Sequence, residues 1–294
     1  MSEIFHRITE SIIAAIDADP TKPELPWHRA QLCIPSNAST GRPYRGINIL
    51  SLWLTASAKG YPDARWASYL QWQALGVQVR KGEKGTPIVF YRSLEKDEPP
   101  DSETTVRSFR VARAYHVFNA AQVEGWTPPP LPTPLSETER QSHAEAFFEA
   151  VGATVIHEGD RAYYRPSTDT IHMPPFASFK SGLGYYAVLA HEHIHWTGAG
   201  IRLDRKLGTA HHTPAYAGEE LVAELGAAFL CAALALTPEP RPDHAGYVAS
   251  WLKLLRDDHR AIVQASSLAT RAVEFLHVKA EERLHDRPPS VAAA

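Results

Sequence analysis

Five prolines fall within residues 127–134, TPPPLPTP, and no other feature limits the fold so firmly. Proline fixes φ and lacks an amide hydrogen, so this stretch can enter neither a helix interior nor a central strand. It reads as an extended linker over residues 127–139, dividing the chain into a unit at 1–126 and a unit at 140–294. With 294 residues, 44% of them hydrophobic, the chain is large enough for two modest globular units. SETE at 136–139 supplies a helix N-cap with a glutamate three residues on, starting a helix that runs to about Val151.

The periodicity on either side predicts an α+β protein. Before the linker, residues 1–18 carry apolar positions at helical spacing, and 46–58 and 63–75 read as short helices. The turn RKGEKGTP, a strand at Ile88–Tyr91, an exposed hairpin loop at 94–104 and a strand at 109–118 complete a small mixed unit. After the linker, 153–173 reads as a small antiparallel sheet. Helices follow at 181–197, from Pro214 to Leu236, and across 243–284, so the second unit is mostly helical.

Composition excludes several classes. Two cysteines, Cys33 and Cys231, make no disulfide framework and fit a reducing compartment. The first twenty residues lack a basic start, an apolar core and a small-residue cleavage site, so they are expected to be a helix, not a signal peptide. No apolar run reaches the ~18 residues of a membrane span. A cytoplasmic protein without membrane contact is expected.

Chemistry enters at AHEHIHWTG, residues 190–198. His191 and His195 stand at i and i+4, one above the other on a helix, so both imidazoles can reach one ion. Glu192 lies about 100° round the helix. It is not a third ligand but is placed to act as general base on a water that the ion polarises. Tyr185, Tyr186, Val188 and Leu189 make the helix apolar, where a charged segment is costly unless coordinated or paired. A catalytic zinc needs a third protein ligand and an open position. GEELVAELGAAFL at 218–230 offers Glu219, Glu220 and Glu224, read as one ligand plus one carboxylate that orients a histidine. His193 faces elsewhere and reads as a core histidine. His157, His172, His211 and His212 are remote candidates for lining the site. Two imidazoles and a carboxylate suit zinc, with manganese as the alternative.

Residues 42–84 hold seven basic and two acidic residues, in a chain of net charge -3. Tryptophans and tyrosines are interleaved among those cations, the composition of a single-strand groove in which rings stack on bases and cations follow phosphates. In RKGEKGTP, glycines would let backbone amides face a phosphate, with Arg80, Lys81 and Lys84 supplying charge.

Two resemblances sharpen this. Glu220-Leu221-Val222-Ala223-Glu224 is similar to the gluzincin pattern E-x-x-[AS]-[DEN], which implies Glu220 as the third ligand and Glu224 behind a histidine, or as the alternative ligand. NASTGRPYRGINILSLW, LGVQVRKGEKGTPIVFY and YHVFNAAQVEG resemble the N-terminal single-stranded-DNA-binding domain of ArdC-type antirestriction proteins. HEHIHWTG, IRLDRKLG and YAGEELVAELGAAFL resemble the metallopeptidase domain that follows it in that family. The resemblance implies a protein of a plasmid or other mobile element, which protects incoming DNA from host restriction during conjugation. It would bind single-stranded DNA and carry a peptidase centre with zinc or manganese, acting on a restriction protein or another DNA-bound protein. Candidate strand-binding residues are Arg42, Tyr44, Arg45, Asn48, Trp66, Trp72, Arg80, Lys81 and Lys84. Two rival readings are a DNA-binding module with a structural metal site and a metalloprotease without DNA affinity.

Overall fold

The computed structural model describes residues 2–17, 27, 33–94, 109–127, 135–205, 207, 213–236 and 244–285. Most of the linker tract, the loop expected beyond Leu94, His211 and His212 lie outside the described residues.

The first half contains α1 (Ser2–Asp17), β1 (Ser36–Asn37), α2 (Ile47–Lys59), β2 (Arg65–Ala67), α3 (Tyr69–Ala74), β3 (Gln78–Val79), β4 (Thr86–Leu94), β5 (Phe109–Asn119) and β6 (Val123–Glu124). A four-stranded sheet runs β1-β2-β5-β4, and a separate pair joins β3 to β6. The long β4–β5 ladder is antiparallel, from Thr86 opposite Val117 to Leu94 opposite Phe109. α2 covers it, and the Asn48 carboxamide bridges the Val89 amide and carbonyl at 2.8 Å each.

The helix expected over 63–75 is corrected. Ser68 caps α3, accepting from the Gln71 amide at 3.3 Å, while the Gln71 side chain accepts from the Ser68 amide at 3.0 Å. A capping residue is extended, so the helix begins only at Tyr69. Arg65–Ala67 instead pairs with β1 on one side and β5 on the other.

The second half contains α4 (Glu137–Val151), β7 (Thr154–His157), β8 (Tyr163–Arg165), β9 (Thr170–Met173), α5 (Gly182–Thr197), α6 (Pro214–Ala233), α7 (His244–Asp257) and α8 (Ala261–His285). The expected capping box at the start of α4 forms between Ser136 and Glu139. The small sheet is not wholly antiparallel. β8 and β9 form a tight hairpin through Asp169, at φ 53°, and β7 adds to the far side of β9 in parallel.

The two halves share one apolar core. Ile8, Ile12, Ile13 and Ile16 of α1, Trp27, and Ile49, Leu50 and Trp53 of α2 join the cluster built by α4, α5, α6 and α8. Trp53 meets Phe229 edge-on at 5.6 Å. Gly46, at φ 57°, opens α2 and donates its amide to Thr270 Oγ1 at 2.9 Å on α8. Among the described residues no helix is long and apolar enough to cross a membrane.

Candidate metal centre

Two helices build the centre. The Ser181 hydroxyl caps α5 by accepting from the Gly184 amide. Thr213 caps α6 by accepting from the Tyr216 amide, with Pro214 as the first helical residue. The helices come close because α6 carries Gly226 opposite Ile194. A Cβ at Gly226 would stand 2.8 Å from Ile194 Cγ1, inside contact distance. That approach brings α5 and α6 within reach of a shared ion.

His191, His195 and Glu220 each offer a donor atom, and the three atoms lie within 4.8 Å of one another. The two Nε2 atoms are 3.1 Å apart. Glu220 places one oxygen 3.6 Å from His191 Nε2 and the other 3.5 Å from His195 Nε2. Glu192, next to His191, is buried. Glu219, Glu220 and Glu224 are buried as well, so four carboxylates line this stretch of α5 and α6. Charge taken out of water must be compensated, and a divalent cation between these donors would do so. The donor set therefore fits zinc or manganese.

The mutual influence of these groups is strong. Burial alone would push the Glu220 carboxyl up, but hydrogen bonds from His191 and His195 hold it far below the usual carboxylate range. Burial would lower His195, but Glu219 and Glu220 reverse that and raise it above the ordinary imidazole value. Glu219 is itself held low, against burial, by His195 and Arg205.

Glu219, one of the three candidate glutamates, takes the histidine-orienting role that the resemblance implies for Glu224, and it does so with Arg205, which the spacing does not point to. Glu219 Oε1 accepts from His195 Nδ1 at 3.3 Å. This orients the ring so that Nε2 is the nitrogen turned toward Glu220 and His191. Arg205 holds Glu219 in a fork, Nε to one oxygen at 3.1 Å and a terminal nitrogen to the other at 2.8 Å. The same guanidinium donates to the Ile194 carbonyl at 2.6 Å and Thr197 Oγ1 at 2.8 Å, satisfying the C-terminal end of α5. Arg205 lies in IRLDRKLG, where the segment was visible in the sequence but the contact, which joins a loop to two helices, was not. Glu224 stands behind His191, 3.7 Å from Nδ1 and beyond hydrogen-bond range, and accepts from Trp27 Nε1 at 3.4 Å.

His193 packs in the core. Its Nδ1 donates to the Leu189 carbonyl at 2.8 Å, its ring lies 4.6 Å from Phe148, and burial pulls its pKa down to about 4. His157 bonds Tyr185 OH, and His172 pairs with Glu158, so neither joins the donor group.

The strand-binding candidates divide. Trp66 is 1% exposed and Trp72 0%, so neither ring can offer a face to a base and both are core residues. Asn48 is consumed by the Val89 backbone. Tyr44 is half-buried and donates its hydroxyl to the Trp66 carbonyl. Arg45 is paired with Glu274 on α8, and Arg80 with Glu83. Arg42, Lys81 and Lys84 are exposed. Other aromatics are also exposed: Tyr69, Phe90 at 58% and Tyr115 at 44%. Phe90 and Tyr115 meet edge-on at 6.3 Å on the β4–β5 ladder, and Arg113, exposed, lies opposite Phe90.

Comparison with known proteins agrees with both halves. The N-terminal domain of anti-restriction factor ArdC matches residues 2–118, and a zincin-like metallopeptidase domain matches residues 142–268. The metal-free crystal structure of antirestriction ArdC protein from plasmid R388 superposes with a TM-score of 0.79 at 40% identity, covering 95% of this chain and 98% of that one.

The chain belongs to the ArdC antirestriction family.

The Mn(II)-bound form of the R388 ArdC protein superposes with a TM-score of 0.78 at 41% identity, over 94% and 97% of the two chains. The uncharacterized protein y4eC of Sinorhizobium fredii is 46% identical over 287 residues, 95% of this chain and 92% of that protein. A DNA primase TraC of Escherichia coli is 36% identical over 302 residues. That match takes in 96% of this chain but 28% of the primase, so the ArdC-type chain corresponds to a part of a longer protein there.

Proposed function

We propose that this ArdC-family chain is an antirestriction protein that binds single-stranded DNA through its first half and carries a divalent-metal-dependent peptidase centre in its second. The observation that carries the peptidase reading is the group of His191, His195 and Glu220 donors within 4.8 Å, with Glu192 on the same helical turn of α5. A three-donor set leaves coordination positions for water and substrate, unlike the closed four-ligand set of a structural zinc.

His191, His195 and Glu220 would hold the ion, zinc by donor preference or manganese as in the R388 relative. When bound, the ion supplies Lewis-acid polarisation of water and of the scissile carbonyl. Glu192 takes the proton from the attacking water and returns it to the leaving amine. Glu219 and Arg205 keep the His195 ring turned so that Nε2 is directed toward Glu220 and His191. The peptide substrate is a restriction protein or another protein met on incoming DNA. On the first half, exposed Arg42, Lys81 and Lys84 attract phosphates, and the exposed rings of Tyr69, Phe90 and Tyr115 supply stacking faces for a strand read without sequence preference.

The test is the Glu192→Gln variant assayed against a peptide library with metal content measured alongside. Cleavage should fall roughly 10²–10⁴-fold with metal retained. Unchanged cleavage would overturn the assignment of Glu192. Absence of cleavage in the unmodified, metal-loaded protein would favour a DNA-binding protein with a structural ion.

A further inference from the structure

A second set of metal-binding donors comes together where α1 meets the turn between α7 and α8. His6 and Glu10 stand at i and i+4 on α1, so their side chains share one face. His259 lies in the turn at 258–260. The His6 and His259 rings are 4.3 Å apart between centroids, and His259 Nε2 is 3.0 Å from Glu10 Oε1. One donor atom from each of the three residues falls within 4.8 Å of the others.

The supports of this cluster are rigid. Thr9, fully buried, donates its hydroxyl to the His259 carbonyl at 2.9 Å and pins the turn to α1. Ile8 and Ile12, on the same buried face of α1 as Thr9, lock the helix into the core. Arg256 of α7 reaches Asp17 of α1 at 2.7 Å. The donor atoms already lie within 4.8 Å of one another, a gap that side-chain rotation can close. Two imidazoles and a carboxylate are the donors that borderline first-row ions prefer. His6 and Glu10 are exposed and His259 half-buried, so water can complete the coordination, and the cluster shares no residue with the α5–α6 centre.

We propose that His6, Glu10 and His259 form a second divalent transition-metal site, whose ion clasps α1 to the α7–α8 turn. The ion would join the first helix of the chain to helices beyond the peptidase centre and stabilise that docking by binding the folded arrangement alone.

The test uses the full-length chain without an affinity tag, titrated with Zn²⁺ by calorimetry and checked by elemental analysis. His6→Ala/His259→Ala should bind one Zn²⁺ per chain fewer than the unmodified protein. All three residues are surface-accessible, so folding is not at stake, and circular dichroism checks it. Zn²⁺ should slow amide exchange across residues 2–17 in the unmodified chain and leave that exchange unchanged in the double variant. His191→Ala/His195→Ala, where it folds, should keep the protection of α1. Equal Zn²⁺ stoichiometry in the unmodified and His6→Ala/His259→Ala proteins, or α1 exchange indifferent to Zn²⁺ in both, would overturn the proposal.

Discussion

The α5–α6 seam and the basic, aromatic stretch at 42–84 are both expected to carry chemistry, and they differ in how far the expected residues coincide with the placed ones. In the seam, His191, His195 and Glu220 converge. In the first half, Trp66 and Trp72 turn inward, and among the described residues the exposed rings are Phe90, Tyr115 and Tyr69. The seam motif is a spacing on one rigid element, and helix geometry converts spacing directly into proximity. The aromatic groove was inferred from composition, and composition does not say which face of a fold a ring occupies. Tryptophan is large and apolar enough for the core to compete for it.

The contrast can be broken most forcefully at Arg205, the support of the seam. Arg205→Met should destabilise the protein by about 3–5 kcal/mol, because it leaves the Glu219 carboxylate buried without its cation. Urea unfolding measures this, and a loss below about 1 kcal/mol, the scale of an exposed pair, would show that the fork contributes little.

The sheet yields a paired prediction. Trp72→Ala should cost about 3–5 kcal/mol of stability while its folded fraction binds single-stranded DNA with unchanged affinity. Phe90→Ala or Tyr115→Ala should leave stability nearly untouched and cost about 1–3 kcal/mol of DNA binding each. Fluorescence anisotropy on an oligonucleotide separates the two, and the reverse pattern would return the stacking role to the tryptophan. Replacing Lys81 and Lys84 by Gln should flatten the salt dependence of binding by about 0.7 in log–log slope per lost phosphate contact.

Gly226→Val sharpens the seam side. The added side chain collides with Ile194, so the helices must separate, at about 1–3 kcal/mol of overpacking strain. Metal affinity should fall more than stability does, which calorimetry with Zn²⁺ checks.

The smallest effect is a pH dependence at the loop that carries Arg205. Arg202 hydrogen-bonds Asp169 and holds its carboxyl below the ordinary value. A depressed folded pKa contributes stability that is fully present above the unfolded value of about 3.9 and is lost as pH falls through the folded one. The gap in urea midpoint between the unmodified protein and Asp169→Asn should therefore close on moving from neutral pH to below that value.

What was legible in the sequence follows the same division. The Ser136–Glu139 capping box, the amphipathic first helix and the two helices of the seam were local signals, and they formed. The strand at Arg65–Ala67 was hidden because its partners, Ser36–Asn37 and Phe118–Asn119, are distant in sequence. The parallel pairing of β7 with β9 was hidden for the same reason. Glu219 and Arg205 were visible as residues but not as a pair, since they lie apart in sequence and no periodicity links them. The sharing of one core by both halves, with Trp27 bonding Glu224, has no signature in the proline tract that separates them.

The central claim is that His191, His195 and Glu220 hold a divalent ion independently of the DNA surface. The most direct test measures metal content and single-stranded-DNA affinity on one preparation, with Glu220→Ala beside it. The account predicts that the variant loses one ion per chain and keeps its DNA affinity. An unchanged metal count would contradict it.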